Sequence, residues 1–421
     1  MSLPLVSAVK APDPLDVPAP LATRPNTTIW VLVVGAGAVR SVGFSYPFLS
    51  YRLADLGFST TRISGLLALY GLGWLVGQIL WGRLADALGR RATLVGAMTV
   101  AAVTLPLLAQ ATSVVTVGAA AIVAGAVYDA PRPVISATVA DEIPDAARRA
   151  SITGWRHFAI NVGAALTGAT GGLLADRTGI PALFYANAAA CALFAVVAHR
   201  VMPPKPPAPQ RHTGSPGVGS ALRDVRLWLL WLAGVLALLP VAGLFSIMPL
   251  LMQREGMPAS SYGWTQVASA AAVLTLSLPL NRWLARQTAR STMVGPLAVS
   301  SLILGAGIGS AGLATSTLQY AAAAAAAVPG EVIALVAASA IVDRIAPPLS
   351  RGLYSGIWGS SLATAVIGAP VLAGWSLAQG GPAFVGLVTL LCGAAGAVIC
   401  LPLGLMLRPT RAPQLLRPVH P

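Results

Sequence analysis

GRLADALGRRATL, residues 82–94, lies between two long apolar stretches. Its glycines, Gly82 and Gly89, permit a tight turn and a close approach to a neighbouring helix. Asp86 stands among Arg83, Arg90 and Arg91, an acid with basic partners in a breakable charge cluster. To either side the chain is apolar, over 62–82 and 92–111. Each stretch is about the ~20 residues that cross a bilayer as a helix. The loop reads as the polar link between two membrane spans.

The same alternation runs along the rest of the chain. Apolar runs fall at 28–50, 62–82, 92–111, 114–140, 150–175, 181–201, 227–251, 262–281, 292–313, 317–342, 352–377 and 383–407. Of the 421 residues, 56% are hydrophobic and only 10% charged. A soluble chain would carry about a quarter charged residues, so a soluble enzyme, a disordered protein and a secreted disulfide scaffold are excluded. The expectation is an all-α integral membrane protein of twelve transmembrane helices. Residues 1–27 read as a disordered cytoplasmic tail, since they are Pro-rich and lack the basic start and short apolar core of a signal peptide. Residues 408–421 read as a second cytoplasmic tail. The Pro-, Gly- and Arg-rich segment 202–226 reads as a cytoplasmic linker between halves 28–201 and 227–407.

The net charge of +14 first points to nucleic acid, but the arginines lie in short clusters between apolar runs. Arg83, Arg90, Arg91, Arg148, Arg149, Arg282, Arg286, Arg290, Arg344 and Arg351 fall on one side, against Arg52, Arg62, Arg177 and Arg254 on the other. This is the positive-inside pattern of a multi-pass protein of the cell (plasma or inner) membrane, with both termini cytoplasmic and no nucleic-acid partner. Cys191, Cys392 and Cys400 lie inside apolar runs, and the four histidines are scattered, so no metal site is expected. There is no phosphate-binding P-loop, so ATP is not the energy source, and no cofactor is expected.

The two halves repeat. An offset of 202 places Pro47 on Pro249, Arg52 on Arg254, Asp129 on Glu331, Asp141 on Asp343, Arg149 on Arg351, Gly154 on Gly356 and Gly172 on Gly374. With six spans each, both halves begin on the same side, as parallel repeats do.

Gly82, Leu84, Asp86, Gly89, Arg90 and Arg91 match the signature loop of the major facilitator superfamily, G-x-L-a-D-r-x-G-r-r, which the chain resembles at every key position. In the fifth run Gly154, Gly163, Gly171 and Gly172 resemble the glycine-rich antiporter signature of that superfamily's drug exporters, although Thr167-Gly168 replaces the expected Gly-Pro pair. Close helix packing in lipid is the competing reading of these glycines. Arg40 before Pro47 in the first run, and YDAPRP with Asp129 and Arg132 in the fourth, resemble the twelve-span drug:proton antiporters, although Ala121 stands where those usually carry a basic residue. The resemblance implies the major facilitator fold, with a central cavity lined by spans 1, 4, 7 and 10.

Charges inside spans each cost at least a few kcal/mol and mark function by default. Arg40 lies about 12 residues into the first run, ~18 Å deep. Asp129 and Arg132 are spaced to pair within a helix, and a structural salt bridge among Arg40, Asp129 and Arg132 is the competing reading. Glu331 has no charged neighbour in sequence, so it is taken as the main proton carrier, with Asp129 as organiser of Arg40 and Arg132. Arg156 and His157 are read as snorkelling toward the cytoplasmic surface. Phe44, Tyr46, Tyr128, Phe245 and Trp358 are candidates for stacking on planar or cationic substrates, against a reading as ordinary packing.

The expectation is proton-coupled export of small, largely apolar molecules, as in drug or antibiotic efflux. The motion is alternating access of the two halves, driven by the proton gradient, in a monomer within the lipid bilayer. A proton-coupled metabolite importer and a non-transporting membrane sensor are the alternatives. In the signature loop Asp86 is expected to act as a latch.

Overall fold

The computed structural model describes residues 27–143, 145–204, 218–288, 291–347 and 350–407. Among these residues the regular structure is entirely helical. In order the helices are α1 Thr27–Ser41, α2 Leu49–Asp55, α3 Thr60–Leu88, α4 Arg90–Gln110, α5 Val114–Tyr128, α6 Pro131–Glu142, α7 Ala146–Thr178 and α8 Ile180–Val201. There follow α9 Val218–Arg223, α10 Val225–Arg254, α11 Ala259–Thr288, α12 Val294–Gly309 (extended by a 3-10 turn, Ser310–Leu313), α13 Thr317–Ile345 and α14 Arg351–Met406. Ten apolar segments among the described residues are long enough to cross a bilayer, and Thr27–Ser41 is apolar but shorter. α14 is two helices that meet at Gly381, where φ is 71°. The expected tails lie outside the described residues except Thr27. Of the expected linker, residues 218–223 form the short helix α9 and 225–226 open α10.

Side chains set many of the helix starts. Ser113 and Thr116 form a reciprocal capping box at α5. Ser316 caps α13 through the Gln319 amide in the equivalent place. Asp145 accepts from the Arg148 amide at 2.7 Å to start α7, and Asp224 from the Arg226 amide at 3.0 Å to start α10. Gly89 and Gly179 take φ of 87° and 79° at the tight joints α3–α4 and α7–α8, a backbone that side chains oppose. Gly381 lies 202 residues beyond Gly179, so the expected repeat extends to the backbone at this joint.

Packing carries the same repeat. α3 packs on α5 as α11 packs on α13, α4 on α8 as α12 on α14, and α1 on α7 as α10 on α14. α3 with α14, and α7 with α11, join the two sets of helices. These joins lie toward the end away from the linker. A Cβ at Gly374 would meet Ser64, one at Gly71 would lie 3.1 Å from the Ile367 nitrogen, and one at Gly172 would lie 2.7 Å from the Ser260 Cα. Toward the linker end, a Cβ at Gly82, Gly356 or Gly359 would meet no atom within 4 Å.

Aromatic side chains fill the closed end. Tyr46 stacks with Tyr70 at 4.9 Å between ring centroids and with Phe245 at 6.2 Å. Phe48 meets Tyr262 edge-on at 5.6 Å, and Tyr51 lies 6.2 Å from the same ring. Gln253 donates to the Ser50 carbonyl at 3.0 Å, tying the end of α10 to α2.

Two spans differ from the sequence expectation of unbroken helices over 28–50 and 114–140. α1 stops at Ser41, and the turn through Gly43 and Pro47 precedes α2. α5 stops at Tyr128, and α6 restarts with Pro131 in its first turn, the position where a missing N–H costs nothing.

Candidate functional site

Both interruptions open onto one cavity of about 140 Å³, set among α1, α3, α4, α5, α6, α7 and α8. Its charged lining is Arg40, Asp129, Arg132 and Arg156. Arg40 occupies the last turn of α1, where the partial negative charge of a helix C-terminus favours a cation. Asp129 ends α5 and precedes the N-terminus of α6, whose partial positive charge favours a carboxylate. Each break therefore leaves a charged side chain beside the helix end that suits it, in surroundings where irregular backbone is tolerated because it lines a cavity.

Asp129 is well engaged. Arg132 reaches its Oδ2 at 2.6 Å, and Gln78 Nε2 donates to the same oxygen at 3.0 Å. Gln78 arrives there because α3 and α5 approach backbone to backbone: a Cβ at Gly77 would collide with the Ala126 carbonyl, and Trp81 donates to that oxygen at 2.7 Å. Arg40 differs. Its guanidinium lies 5.0 Å from the Tyr128 ring centroid and 5.9 Å from that of Phe245, within cation–π range. Its Nε is buried without a hydrogen-bond partner among the described residues. Thr167 of α7 donates to the Arg40 carbonyl, satisfying an acceptor at the end of α1.

Arg156 is a buried residue, contrary to the snorkelling expected from sequence. It donates through Nη1 to Ser136 Oγ at 2.5 Å, while its Nε is buried without a partner among the described residues. A second cavity between α6 and α7 shares Arg156 and adds Arg149. Ser45, Trp74 and Asn187 add polar groups to the lining of the first cavity; none of them, nor Gln78, was singled out by sequence.

The remaining sequence candidates are dispersed. Tyr128 lines the cavity, and Phe245 is half-buried beside Arg40. Phe44 and Tyr46 are 1% exposed and belong to the aromatic packing of the closed end. Trp358 is half-buried on α14, its Nε1 without a hydrogen-bond partner among the described residues. Glu331 is half-buried in α13, and its carboxyl forms no hydrogen bond or ion pair among the described residues. It stands 15 residues after the Ser316 cap, whereas Asp129 stands 16 after Ser113. The two acids therefore sit about 100° apart in helical register rather than on equivalent faces.

The signature-loop residues lie at the end opposite the aromatic packing. Gly89 joins α3 to α4, Asp86 pairs with Arg90 at 2.6 Å, and Arg91 Nη2 donates toward His199 Nε2 at 3.0 Å. Asp86 is 65% exposed. The glycines of α7 lie in helix-to-helix contacts. A Cβ at Gly163 would sit 2.8 Å from the Gly37 carbonyl and 3.0 Å from the Arg40 Cβ. One at Gly171 would sit 2.8 Å from Phe44 Cδ1, and Gly172 abuts α11. Gly154 lies in the first third of the same helix.

A family model described as Major Facilitator Superfamily matches residues 29–262. No curated protein matches the chain. Among solved structures, it is similar to a POT family transporter in complex with 5-aminolevulinic acid, with 13% identity and a TM-score of 0.74 over 90% of this chain and 96% of that one. It is also similar to a mutant of the peptide transporter POT in complex with alafosfalin, with 14% identity and a TM-score of 0.73 over 93% and 97%. At these identities the likeness is one of fold.

Proposed function

The chain belongs to the major facilitator superfamily, and from that premise we propose that this membrane transporter is a proton-coupled exporter of small, largely apolar molecules, drugs or antibiotics among them. Two six-helix halves, 28–201 and 227–407, alternate access to the cavity, with 202–226 as their cytoplasmic link. The transporter acts as a monomer in the cell membrane with both termini cytoplasmic.

One observation carries the coupling: the Glu331 carboxyl lies inside a span without an ion-pair partner among the described residues. A carboxyl free of a fixed cation can exchange its proton as access alternates, so Glu331 is the proton carrier. Asp129 is held by Arg132 and Gln78 and organises the charges around Arg40. Protonation from outside then expels the substrate to that side, through the linkage between proton and substrate binding. Gly82, Asp86, Gly89, Arg90 and Arg91 form the latch that holds the cytoplasmic end shut in the alternate state.

Inverted membrane vesicles test the direction. Acidifying the interior should drive accumulation of a transported compound, and cells lacking the gene should become more susceptible to it. Accumulation only when the gradient is reversed would replace export by proton-coupled uptake of a metabolite. That second reading is favoured by the excess of arginine over acid in the cavity, because a monovalent anion travelling with a proton moves no net charge.

A further inference from the structure

The charges around the cavity do not balance. Asp129 is engaged by Arg132 and Gln78, and it is the only acid among the lining residues. Arg40 and Arg156 remain, both cationic at any physiological pH. The Arg40 guanidinium makes contact with the Tyr128 and Phe245 rings and with no carboxylate among the described residues. Arg156 is only 8% exposed and bonds to neutral oxygens, those of Ser136 and, at 3.4 Å, the Arg132 carbonyl. The Nε of each is buried and has no hydrogen-bond partner among the described residues. Burying a cation without a counter-charge is costly, and an arginine fork matches a carboxylate or phosphate in geometry. Apart from Ser45, Trp74, Tyr128 and Asn187, the rest of the wall is apolar, including Val39, Met98, Leu105, Ile135 and Ile160.

We propose that the transported molecule is an amphiphilic organic anion, its acidic group met by Arg40 and Arg156 and its apolar or aromatic body lying against Tyr128, Trp74 and the aliphatic wall. The assignment rests on the transport reading above and narrows its substrate class. It departs from the cationic compounds that the aromatic residues alone bring to mind. Phe245, from the other set of helices, covers Arg40, so the charged head is felt on both sides of the molecular division.

The test uses three probes with one ring system and different charge: 2-naphthoate, 2-naphthamide and 2-naphthylmethylammonium. Each is titrated into the purified full-length chain in detergent at constant ionic strength, and the thermal unfolding temperature is followed. Naphthoate should stabilise the protein with an affinity at least about tenfold above those of the amide and the amine, the scale of one charge-assisted hydrogen bond. Inorganic sulfate should compete with it. Arg156→Gln and Arg40→Gln should each weaken naphthoate binding by about tenfold or more, with smaller losses for the lysine variants, which keep charge but not the fork. The comparison of probes on the parent protein needs no variant and stands if one fails to fold. Equal or tighter binding of the amide or amine would overturn the anion assignment, as would naphthoate binding unaffected by both glutamine variants. Proton-driven transport of a neutral or cationic compound alongside such a result would leave the exporter reading intact. Anion-selective binding without proton-driven movement would overturn the exporter reading and keep the anion site.

Discussion

At the scale of single residues, the two intramembrane acids stand in different surroundings and should fail differently when changed. Glu331→Gln should abolish uphill transport while sparing substrate counterflow down a gradient, because an amide fixes the neutral form. Proteoliposomes with and without an imposed proton gradient make the comparison, and gradient-driven accumulation by the variant would return the coupling role to Asp129. Asp129→Asn should instead cost stability, since it leaves Arg132 beside a neutral amide. We expect about 1–3 kcal/mol, below the 3–5 kcal/mol of a fully buried pair, because the Arg132 side chain is 42% exposed. Thermal unfolding should report it together with weaker binding. Much of this was legible in the sequence, where Arg40, Asp129, Arg132 and Glu331 stood out as charges inside apolar runs. Arg156 was misread because its distance from the end of a run was weighed and its helical face was not. Arg156, Ile160, Gly163, Thr167 and Gly171 follow one another at three- and four-residue steps, and so share the stripe that faces α1. Gln78 and Asn187 were invisible for a different reason: an uncharged amide in an apolar run looks like any other polar interruption until a partner is known.

At the scale of the elements, helix contacts sort the glycines into two groups. Gly163→Ala should push α7 from α1, with a loss of about 1–3 kcal/mol, since the added methyl meets backbone rather than a flexible side chain. Gly82→Ala meets open space and should leave the unfolding temperature of this conformation unchanged while slowing transport, if closure of the other end brings a helix against it. Equal behaviour of the two variants in both assays would remove the distinction. A second element-scale link joins the starts of α10 and α14. Tyr354 donates to Asp224 Oδ2 at 3.0 Å, and Arg226 holds both carboxylate oxygens. Burial pushes the Asp224 carboxyl up, but hydrogen bonds from the Arg226 side chain, Tyr354 and the Arg226 amide outweigh it and hold it below the usual range. The stabilisation is therefore complete above the ordinary carboxylate pKa and fades as pH falls through the lowered one. Asp224→Asn should cost about 1 kcal/mol at neutral pH, with the difference from the parent narrowing in acid. A constant difference across the pH range would discard the linkage. The apolar runs foresaw an all-helical membrane chain, of which ten described segments are long enough to span. The breaks at residues 42–48 and 129–130 were hidden because hydropathy continues through them, although Gly43, Pro47 and the two prolines of PRP were in plain view. Pro also occurs inside helices that continue, at Pro240 and Pro329, so its presence alone did not mark a break.

At the scale of the whole molecule, the two sets of helices meet at the end away from the linker, and the signature loop lies at the other. Asp86→Asn should lower turnover by about tenfold, the effect of removing ~1.4 kcal/mol from the alternate state alone. Substrate affinity in the present conformation should be nearly unchanged, because Asp86 is solvent-exposed and is not among the cavity residues. Transport equal to the parent at matched expression would discard the latch. The repeat was legible as an offset of 202, and Gly179 with Gly381 keeps it to the residue. Its limit is the pair Asp129 and Glu331, where the capping serines shift the register by one and separate two side chains that the offset made equivalent. The aromatic packing at the closed end has an optical consequence. Tyr46, Tyr70 and Tyr262 are at most 1% exposed and Tyr51 is 6% exposed, so four phenols absorb from a dry environment while this end is shut. Opening it wets them together, and the red edge of phenol absorption moves to shorter wavelength on entering water. Ultraviolet difference spectroscopy would then follow the cycle in the unlabelled protein, with its own tyrosines as the indicator dye.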